Sequence, residues 1–268
     1  MKRRDFLKTS LAATSLAGLT SALHTSAAEA AGKEPREFYE LRLYHLRRGA
    51  KQKVFEDYLR DAAIPAMNRA GISAVGVFNV MTGPDSPTVY MLIPYKSIED
   101  FATLGAKLGA DAEYHKAGAE AIDAPATDPV FVRMESSLML AFEGMPKLEV
   151  PAGAAEKKPR IFELRTYESH NKKANKKKIE MFNIGEIAIF RRAGLAPVFF
   201  GETLIGAKLP NLTYMLTYEN MTAKDAAWSK FGGDPEWKKL SSTPGYTDPE
   251  IVSNISNVML RPAAFSQI

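Results

Sequence analysis

The chain contains the same sequence module twice, and this duplication constrains its fold more than any other feature. The segment Tyr39–Arg42 recurs as Phe162–Arg165, and Arg69–Gly71 recurs as Arg192–Gly194, each 123 positions later. Further matches keep the same order at nearly the same offset, which is the signature of an internal repeat. The sequence therefore predicts one structural unit that is used in tandem.

Both copies predict the same order of elements. A strand with period-two alternation comes first, followed by a helix that ends at a glycine, a hairpin, a second helical region and a last strand. The second helical region begins near Ser97 in one copy and near Thr222 in the other, where S/T-x-x-D/E sequences fit a helix start. The order β-α-β-β-α-β is the ferredoxin-like arrangement. The predicted strands are Phe38–Leu46, Ala74–Met81, Thr88–Tyr95 and Val130–Phe142, then Arg160–Glu168, Ala196–Leu204, Leu212–Glu219 and Val252–Leu260.

The two modules are expected to pair through their sheets. In a ferredoxin-like unit, helices cover one face of the sheet and leave the other face open. Two such sheets can bury their open faces against each other and close a barrel within one chain. We therefore predict an α+β fold with modules at 37–142 and 160–268, joined by a linker at 143–159 that contains several prolines and glycines.

The N-terminus carries a pattern typical of an export signal. A basic start at Lys2–Arg4 precedes a short, mildly apolar stretch at Leu11–Leu23 and an Ala-x-Ala site at Ala28–Ala30. The paired arginines, followed by Phe-Leu-Lys, resemble the twin-arginine class. The apolar stretch is shorter than the roughly 18 residues of a membrane span, and no later segment reaches that length. We expect residues 1–30 to be a twin-arginine signal peptide and the mature protein to be periplasmic or secreted.

Charge and composition exclude several function classes. The chain has a net charge of +4, and residues 1–30 hold four basic and two acidic side chains, which leaves +2 for the mature part. So small a charge argues against a nucleic-acid partner. The basic run Lys172–Lys178 is interpreted as the solvated start of a helix. The absence of cysteine excludes disulfides, thiolate metal sites and cysteine nucleophiles.

Metal and cofactor sites find little support in the sequence. The mature part contains His45, His115 and His170, and none has the spacing of a zinc motif. Each is interpreted as a surface or hydrogen-bonded histidine, with His115 as the first candidate ligand if haem were bound. Trp228 and Trp237 are interpreted as core residues. The sequence predicts no metal site and requires no cofactor.

The repeated first strand, together with the helix end that follows it, resembles the NIPSNAP family. The resemblance rests on Glu40–Tyr44 and Glu163–Tyr167, which share the pattern Glu-Leu-Arg-x-Tyr, and on the Arg-Ala-Gly that ends each first helix. It extends from about Glu37 to the C-terminus. It implies modules of the dimeric α+β barrel group, here paired within one chain, and it makes a homo-oligomer a candidate. The group includes cofactor-free monooxygenases, haem-degrading enzymes and haem-dependent chlorite dismutases, so the resemblance selects no chemistry.

Alternation along the first strand of each copy separates an apolar set of side chains from a polar set. We expect the apolar set, which includes Tyr39, Leu41 and Phe162, to face the helices. The polar set would then line the barrel interior, where each charged group needs a partner because an unpaired buried charge is costly. The candidate ligand-binding residues are Glu40, Arg42, Tyr44, Glu163, Arg165 and Tyr167.

Two interpretations of this polar set stay open at the level of sequence. In the first, it holds a small ligand, with arginine binding a carboxylate or enolate-like oxygen and tyrosine donating or accepting a proton. In the second, the six residues form a self-satisfied network that holds the two sheets together. The sequence thus indicates an exported protein that binds a small organic or hydrophobic molecule or mediates assembly. The alternative is an oxygenase-like enzyme, cofactor-free or haem-dependent, in which Arg42, Tyr44, Arg165 and Tyr167 take part.

Overall fold

Eight strands close into one barrel in the computed structural model of this chain, which describes residues 34–83 and 85–268. The order of strands around the barrel is β1-β3-β2-β8-β5-β7-β6-β4, and every neighbouring pair is antiparallel. The predicted signal peptide at 1–30 lies outside the described residues. The strands are β1 Phe38–His45, β2 Gly76–Thr82, β3 Thr88–Tyr95 and β4 Arg133–Ala141, then β5 Ile161–Glu168, β6 Ala196–Ile205, β7 Asn211–Tyr218 and β8 Asn254–Pro262.

Each copy contributes one ferredoxin-like sheet to the barrel. The first copy supplies the adjacent strands β4-β1-β3-β2, and the second supplies β8-β5-β7-β6. The sheets join where β2 pairs with β8 and where β4 pairs with β6, and each of these seams contains one shift in register. Because the seams use the edge strands of both sheets, closure leaves no strand edge unpaired. The predicted α+β fold, with two tandem modules closing one barrel, is confirmed.

Helices pack on the outer face of each sheet. The first helix of both copies is interrupted by a π-helical turn, a feature that often occurs at functional sites. No helix in the described part of the chain is long and apolar enough to cross a membrane. The helices of the first copy are α1 Lys51–Tyr58, a π turn at Leu59–Ala63, α2 Ile64–Arg69, α3 Ile98–Gly109 and α4 Ala112–Ile122. Those of the second are α5 Lys172–Met181, a π turn at Phe182–Glu186, α6 Ile187–Ala193, α7 Met221–Gly233, α8 Pro235–Ser241 and α9 Asp248–Ile251.

The predicted helix ends are mostly confirmed. Gly71 and Gly194 both have φ of 90°, the left-handed conformation that glycine adopts at low cost. Ser97 caps α3 by accepting a hydrogen bond from a backbone N–H three residues further on. The prediction for α7 was wrong by two residues, because Asn220 rather than Thr222 is its cap. An asparagine side chain accepts the same backbone hydrogen bond as serine or threonine.

The barrel interior is filled by apolar side chains from both copies. Phe78 and Phe162, one from each copy, meet edge to face with ring centroids 4.8 Å apart. Two further clusters lie between the sheets and the helices, one in each copy. The interior cluster consists of Tyr39, Leu41, Phe78, Tyr90, Leu92, Met139, Ala141, Phe162, Leu164, Val198, Phe199, Met215, Leu260 and Ile268.

The prediction of which strand face points inward was wrong. The apolar set represented by Tyr39 and Phe162 faces the barrel interior, whereas Tyr44 and Tyr167 belong to the two clusters under the helices. Since side chains alternate along a strand, the whole polar set lies with these tyrosines on the outer face. The reason is that a closed barrel covered by helices buries both faces of its sheet, so polarity does not identify the inner one. The polar residues that the sequence placed inside the barrel but that lie outside it are Glu40, Arg42, Tyr44, Glu163, Arg165 and Tyr167.

Candidate functional site

Glu40 lies at the centre of a hydrogen-bond network beneath the helices of the first copy, and it is only 3% exposed. Arg42 donates from Nε and one Nη to the two carboxylate oxygens, at 2.7 and 2.8 Å. The hydroxyls of Tyr95 and Ser136 each donate a further bond at 2.7 Å. Burial by itself raises the pKa of Glu40, but the hydrogen bonds and charge of Arg42 and the two hydroxyl bonds leave it below its ordinary value. Both carboxylate oxygens of Glu40 therefore accept two hydrogen bonds each, and Arg42 is the ion-pair partner of this carboxylate.

The second copy builds a related network around Glu163. Arg165 donates from Nη1 to this carboxylate at 2.8 Å, and Tyr218 donates at 3.0 Å. Trp228 donates its indole N–H to the same carboxylate at 2.8 Å, and its ring lies 4.6 Å from the Arg165 guanidinium carbon. Arg165 also donates to the Tyr167 hydroxyl at 3.1 Å. Both networks thus pair each arginine with the glutamate two residues before it.

These contacts bear on both interpretations of the polar set. Each glutamate is bonded within its own copy and each network lies outside the barrel, so the six residues do not hold the two sheets together. In the second network, Arg165 Nε is buried without a hydrogen-bond partner. The charge of each arginine is already balanced by its glutamate, so neither network offers an unpaired positive charge to an anionic ligand. The residues that could contact a ligand must therefore be sought beside these networks.

A pocket of about 390 Å³ lies next to Tyr44, between the first sheet and the helices α1 and α4. Its walls come from β1, both of these helices, the connection after α4 and the start of β4. None of its lining residues carries a charge. They are Tyr44, Phe55, Tyr58, Tyr114, Ala121, Ile122, Ala124, Pro129, Val130, Phe131 and Met134.

Among the lining side chains, the hydrogen-bonding groups are the hydroxyls of three tyrosines. Tyr58 and Tyr114 share a hydrogen bond of 2.8 Å. Burial, together with the hydrogen bond to Tyr114, raises the pKa of Tyr58. Burial also raises the pKa of Tyr44, although the Arg42 charge offsets part of this shift. The Tyr44 and Tyr58 hydroxyls therefore stay protonated at neutral pH and can donate hydrogen bonds.

Aromatic rings hold the pocket in shape. Phe55 is 1% exposed and lies 4.7 Å from the Tyr44 ring, centroid to centroid. Phe131 lies 5.3 Å from the same ring and is 37% exposed, which places it at the pocket mouth. Phe55 also lines a second cavity of about 280 Å³ towards the β2–β3 hairpin, so its ring separates two spaces under the same helices.

In the second copy, the equivalent place is packed with side chains. The residues 123 positions after Tyr58 and Tyr114 are Met181 and Trp237. Both belong to one cluster under the helices, together with Leu240 and Ile251. At this place, therefore, the first copy has a pocket and the second copy has Met181 and Trp237 packed together.

A buried ion pair lies within the packed region of the second copy. Lys178 and Glu186 have side chains that are 1% and 2% exposed, and their charged atoms are 3.1 Å apart. The Lys178 ammonium also lies 5.2 Å from the Phe182 ring centre and 5.5 Å from that of Trp237. Burial raises the pKa of Glu186. The predicted solvated helix start holds for Lys172, but it is wrong for Lys178, which lies on the face of α5 that packs against the sheet.

A family model matches this chain twice. The NIPSNAP model aligns with residues 39–143 and again with residues 162–267. The chain belongs to the NIPSNAP family. Each match covers one four-stranded sheet with its helices, so this protein carries two NIPSNAP modules in one barrel.

Solved structures share the fold of the whole barrel. A candidate monooxygenase from Fusobacterium nucleatum has a TM-score of 0.54 and 7% identity, over 85% of this chain and 92% of its own. A second, from Lactobacillus acidophilus, has a TM-score of 0.54 and 8% identity, over 85% and 94%. A NIPSNAP-like domain protein from Burkholderia xenovorans is 22% identical over 41% of this chain and 90% of its own, with a TM-score of 0.37. A search of curated proteins found no match.

The three histidines in the described part of this NIPSNAP protein, His45, His115 and His170, do not line the pocket. His115, the haem candidate from the sequence, is exposed, and its Nε2 lies 3.0 Å from the carbonyl oxygen of Gly109. It does not line the pocket, so it does not fit the role of a haem ligand there. Among the described residues, no group of three histidine, aspartate or glutamate side chains could hold a metal ion.

Sequence analysis found part of the site and missed the rest. Of the pocket residues, it selected Tyr44 but not Tyr58 or Tyr114, because it placed the site inside the barrel. A signal was available in the comparison of the two copies, since Phe55 in one copy corresponds to Lys178 in the other. Where two copies of one module differ in charge at a buried position, their cores are packed differently.

Proposed function

We propose that this NIPSNAP protein binds a small organic molecule in the pocket of its first module. The observation that carries the proposal is a cavity of about 390 Å³ with uncharged lining residues, whose hydrogen-bonding side chains are tyrosines. Ligand pockets are typically concave and mostly apolar, with a few placed polar groups and volumes of roughly 300–1,000 Å³. Tyr44 is the one residue of the predicted ligand-binding set that lines this cavity.

We further propose that the protein acts outside the cytoplasm, after export by the twin-arginine route. The support is the N-terminal pattern of paired arginines, a short apolar stretch and an Ala-x-Ala site. Expression of the full chain in a bacterial host with and without a functional twin-arginine system tests this. Loss of the periplasmic product in the deficient host is expected, whereas unchanged periplasmic yield would contradict it.

A second candidate is oxygenase-like turnover of the bound molecule in the same pocket. Two proteins of similar fold are candidate monooxygenases, and the Tyr44, Tyr58 and Tyr114 side chains place hydroxyls at an apolar cavity. Such hydroxyls can hold a substrate oxygen and move a proton during reaction. In this version, the arginines of the two networks act only by positioning the strands, because each is held by its glutamate.

The test is to fill the pocket and look for loss of a bound molecule. Ala121 lies on α4 and lines the cavity, so Ala121→Phe should occupy the ligand space. Ala226, on the exposed surface of α7, gives the matched control Ala226→Phe. Native mass spectrometry of protein purified from cells is expected to show a bound small molecule in the parent and the control, and none in Ala121→Phe.

Two outcomes would contradict the proposal. One is the same bound mass in Ala121→Phe, and the other is no bound mass in any of the three proteins. Circular dichroism and thermal unfolding of Ala121→Phe check that the barrel still folds. The bound molecule can be released from the protein and then added back to the parent. Oxygen uptake after this addition would support the oxygenase-like function.

A further inference from the structure

We infer that the first module takes one uncharged aromatic molecule that carries a hydrogen-bond-accepting oxygen, and that the second module takes none. This inference rests on the proposed function and adds the chemical class and the number of ligands per chain. Four features of the two modules support it: the rings around the pocket, the absence of charge, the hydroxyl pair and the filled counterpart.

Aromatic rings form much of the pocket wall. Five of the eleven lining residues are aromatic: Tyr44, Phe55, Tyr58, Tyr114 and Phe131. All five are linked in one group, with centroid separations of 4.7 Å for Tyr44–Phe55, 6.0 Å for Phe55–Tyr58 and Phe55–Phe131, and 6.1 Å for Tyr58–Tyr114. Rings at such distances offer edges and faces to a further ring, which is a preferred arrangement for aromatic contacts. A flat aromatic ligand fits this wall better than a flexible polar one.

The pocket offers nothing to neutralise a charged ligand. All of its lining side chains are uncharged, and the nearest arginine on the same strand face, Arg42, is held by Glu40 through two hydrogen bonds. A carboxylate or ammonium group that entered the pocket would lose water without gaining a counter-charge of its own, which is costly. The ligand is therefore uncharged.

The hydroxyl groups of Tyr58 and Tyr114 indicate which polar group the ligand carries. In the 2.8 Å contact between the hydroxyls of Tyr58 and Tyr114, either oxygen can be the donor, and only one of the two protons is used. The second proton is left to donate to another acceptor. A carbonyl or similar oxygen on the ligand would satisfy it.

The second module lacks the features that make this site. At the positions of Tyr58 and Tyr114 it has Met181 and Trp237, so the hydroxyl pair is missing, and at the position of Phe55 it has the charged Lys178. The Met181 and Trp237 side chains pack together under the helices. One ligand per chain is therefore expected, although the chain contains two modules.

Three probes of similar size test separately whether the ligand needs an accepting oxygen and whether it must be uncharged. 1-Acetonaphthone is uncharged and carries a carbonyl oxygen, 1-ethylnaphthalene lacks the oxygen, and 1-naphthoate carries a charge. Isothermal titration calorimetry with the full chain is expected to show one 1-acetonaphthone per chain. 1-Ethylnaphthalene should bind about two- to tenfold more weakly than 1-acetonaphthone, because it lacks one neutral hydrogen bond to the protein. 1-Naphthoate should bind at least about tenfold more weakly than the ketone, because its charge is left unpaired.

Variants assign the binding to the tyrosine pair. In the double variant Tyr58→Phe/Tyr114→Phe, the affinity for 1-acetonaphthone should fall to that for 1-ethylnaphthalene, while binding of the hydrocarbon persists. The control Tyr246→Phe removes a hydroxyl from the second module, where it contacts Glu180 on the surface, and should change neither affinity. Ala121→Phe should abolish binding of all three probes.

Several results would overturn the inference. Tighter binding of 1-naphthoate would refute the uncharged class, two equivalents per chain would refute the single site, and an unchanged preference in the double variant would refute the role of the pair. If no probe binds while native mass spectrometry shows a bound molecule that Ala121→Phe removes, the ligand class is wrong and the proposed function stands. If Ala121→Phe affects neither measurement, both are wrong.

Discussion

The buried pair Lys178–Glu186 allows the chain to serve as its own reference in a stability experiment. The residues 123 positions earlier, Phe55 and Ala63, are both buried, so the first module shows that an uncharged pair is compatible with the same fold. We predict that Glu186→Ala alone strongly destabilises the protein, because it leaves the buried Lys178 ammonium with only the exposed carboxylate of Asp248, 3.9 Å away. We predict that the double variant Lys178→Phe/Glu186→Ala, which copies the first module, is nearly as stable as the parent.

The magnitudes follow from the burial of the pair, whose side chains are 1% and 2% exposed. Removing one partner of a buried ion pair typically costs about 3–5 kcal/mol, whereas replacing both by apolar residues is often neutral or stabilising. The double variant should therefore unfold within about 1 kcal/mol of the parent, allowing for the volume that Glu186 leaves. In a domain of this size, 1 kcal/mol corresponds to about 2–4 °C in Tm, so the single variant should lose about 6–20 °C.

The assay is urea unfolding followed by tryptophan fluorescence, which reports on this region because the chain's two tryptophans, Trp228 and Trp237, both lie in the second module. Lys177→Ala, on the same helix but solvent-exposed, is the control and should leave the midpoint unchanged. The single variant Lys178→Phe completes the cycle. The reasoning is refuted if the double variant is destabilised by the sum of Glu186→Ala and Lys178→Phe, because coupling between partners in contact would then be absent.

A pH series tests the same pair independently. Burial raises the pKa of Glu186 above the 4.5 of an unperturbed carboxyl, so the folded state binds this proton more tightly than the unfolded state. The stability that this proton contributes is present below pH 4.5 and is lost as the pH rises through the folded pKa. As the pH rises from 4.5 through the folded pKa of Glu186, the parent should therefore lose free energy of unfolding relative to the double variant. An increase would contradict the direction of the shift.

Three further predictions test the networks, the helix ends and the barrel interior. Because the pKa of Glu40 is lowered, its carboxylate stabilises the fold above pH 4.5, and this contribution is lost as the pH falls through the folded pKa. Glu40→Gln should therefore reduce the loss of unfolding free energy at acid pH, and an unchanged loss would contradict this. Gly71→Ala and Gly194→Ala should each cost about 1–2 kcal/mol in urea unfolding, because both positions have φ of 90°, which alanine adopts only with strain. Both positions have space for the methyl group, so a variant as stable as the parent would show that the backbone relaxes. A double-mutant cycle on Phe78→Leu and Phe162→Leu should give a coupling of about 0.5–1.5 kcal/mol, because these rings meet across the two copies, and strict additivity would mean that the contact is absent.

The local parts of the fold were predictable because their signals are local. The strand Thr88–Tyr95 has its predicted limits, since a run rich in β-branched and aromatic residues follows a Gly/Pro/Asp/Ser turn. Gly71 and Gly194 were identified as left-handed helix ends, because other residues rarely adopt that conformation. The α7 cap was misplaced because Asn220 and Thr222 are both good caps, and a sequence pattern does not rank them.

The location of the site was not predictable from the same patterns. Alternation divided β1 into a face with Tyr39 and a face with Glu40, but it did not indicate which face the helices cover. In a sheet with one solvated face, polarity would decide, because polar side chains face water. Here both faces are buried, and the polar face is compatible with burial only because Arg42 and two hydroxyls satisfy the glutamate.

By itself, the sequence determined that one module occurs twice, which elements it forms and which family it belongs to, since these depend on spacing and short-range chemistry. Only the tertiary structure decided which strand face lies inside the barrel and which copy has a pocket between its first strand and its helices. Those outcomes depend on how side chains far apart in the chain fill a shared volume. Tyr58 and Tyr114 leave space where Met181 and Trp237 pack together, and no local pattern distinguishes these two results.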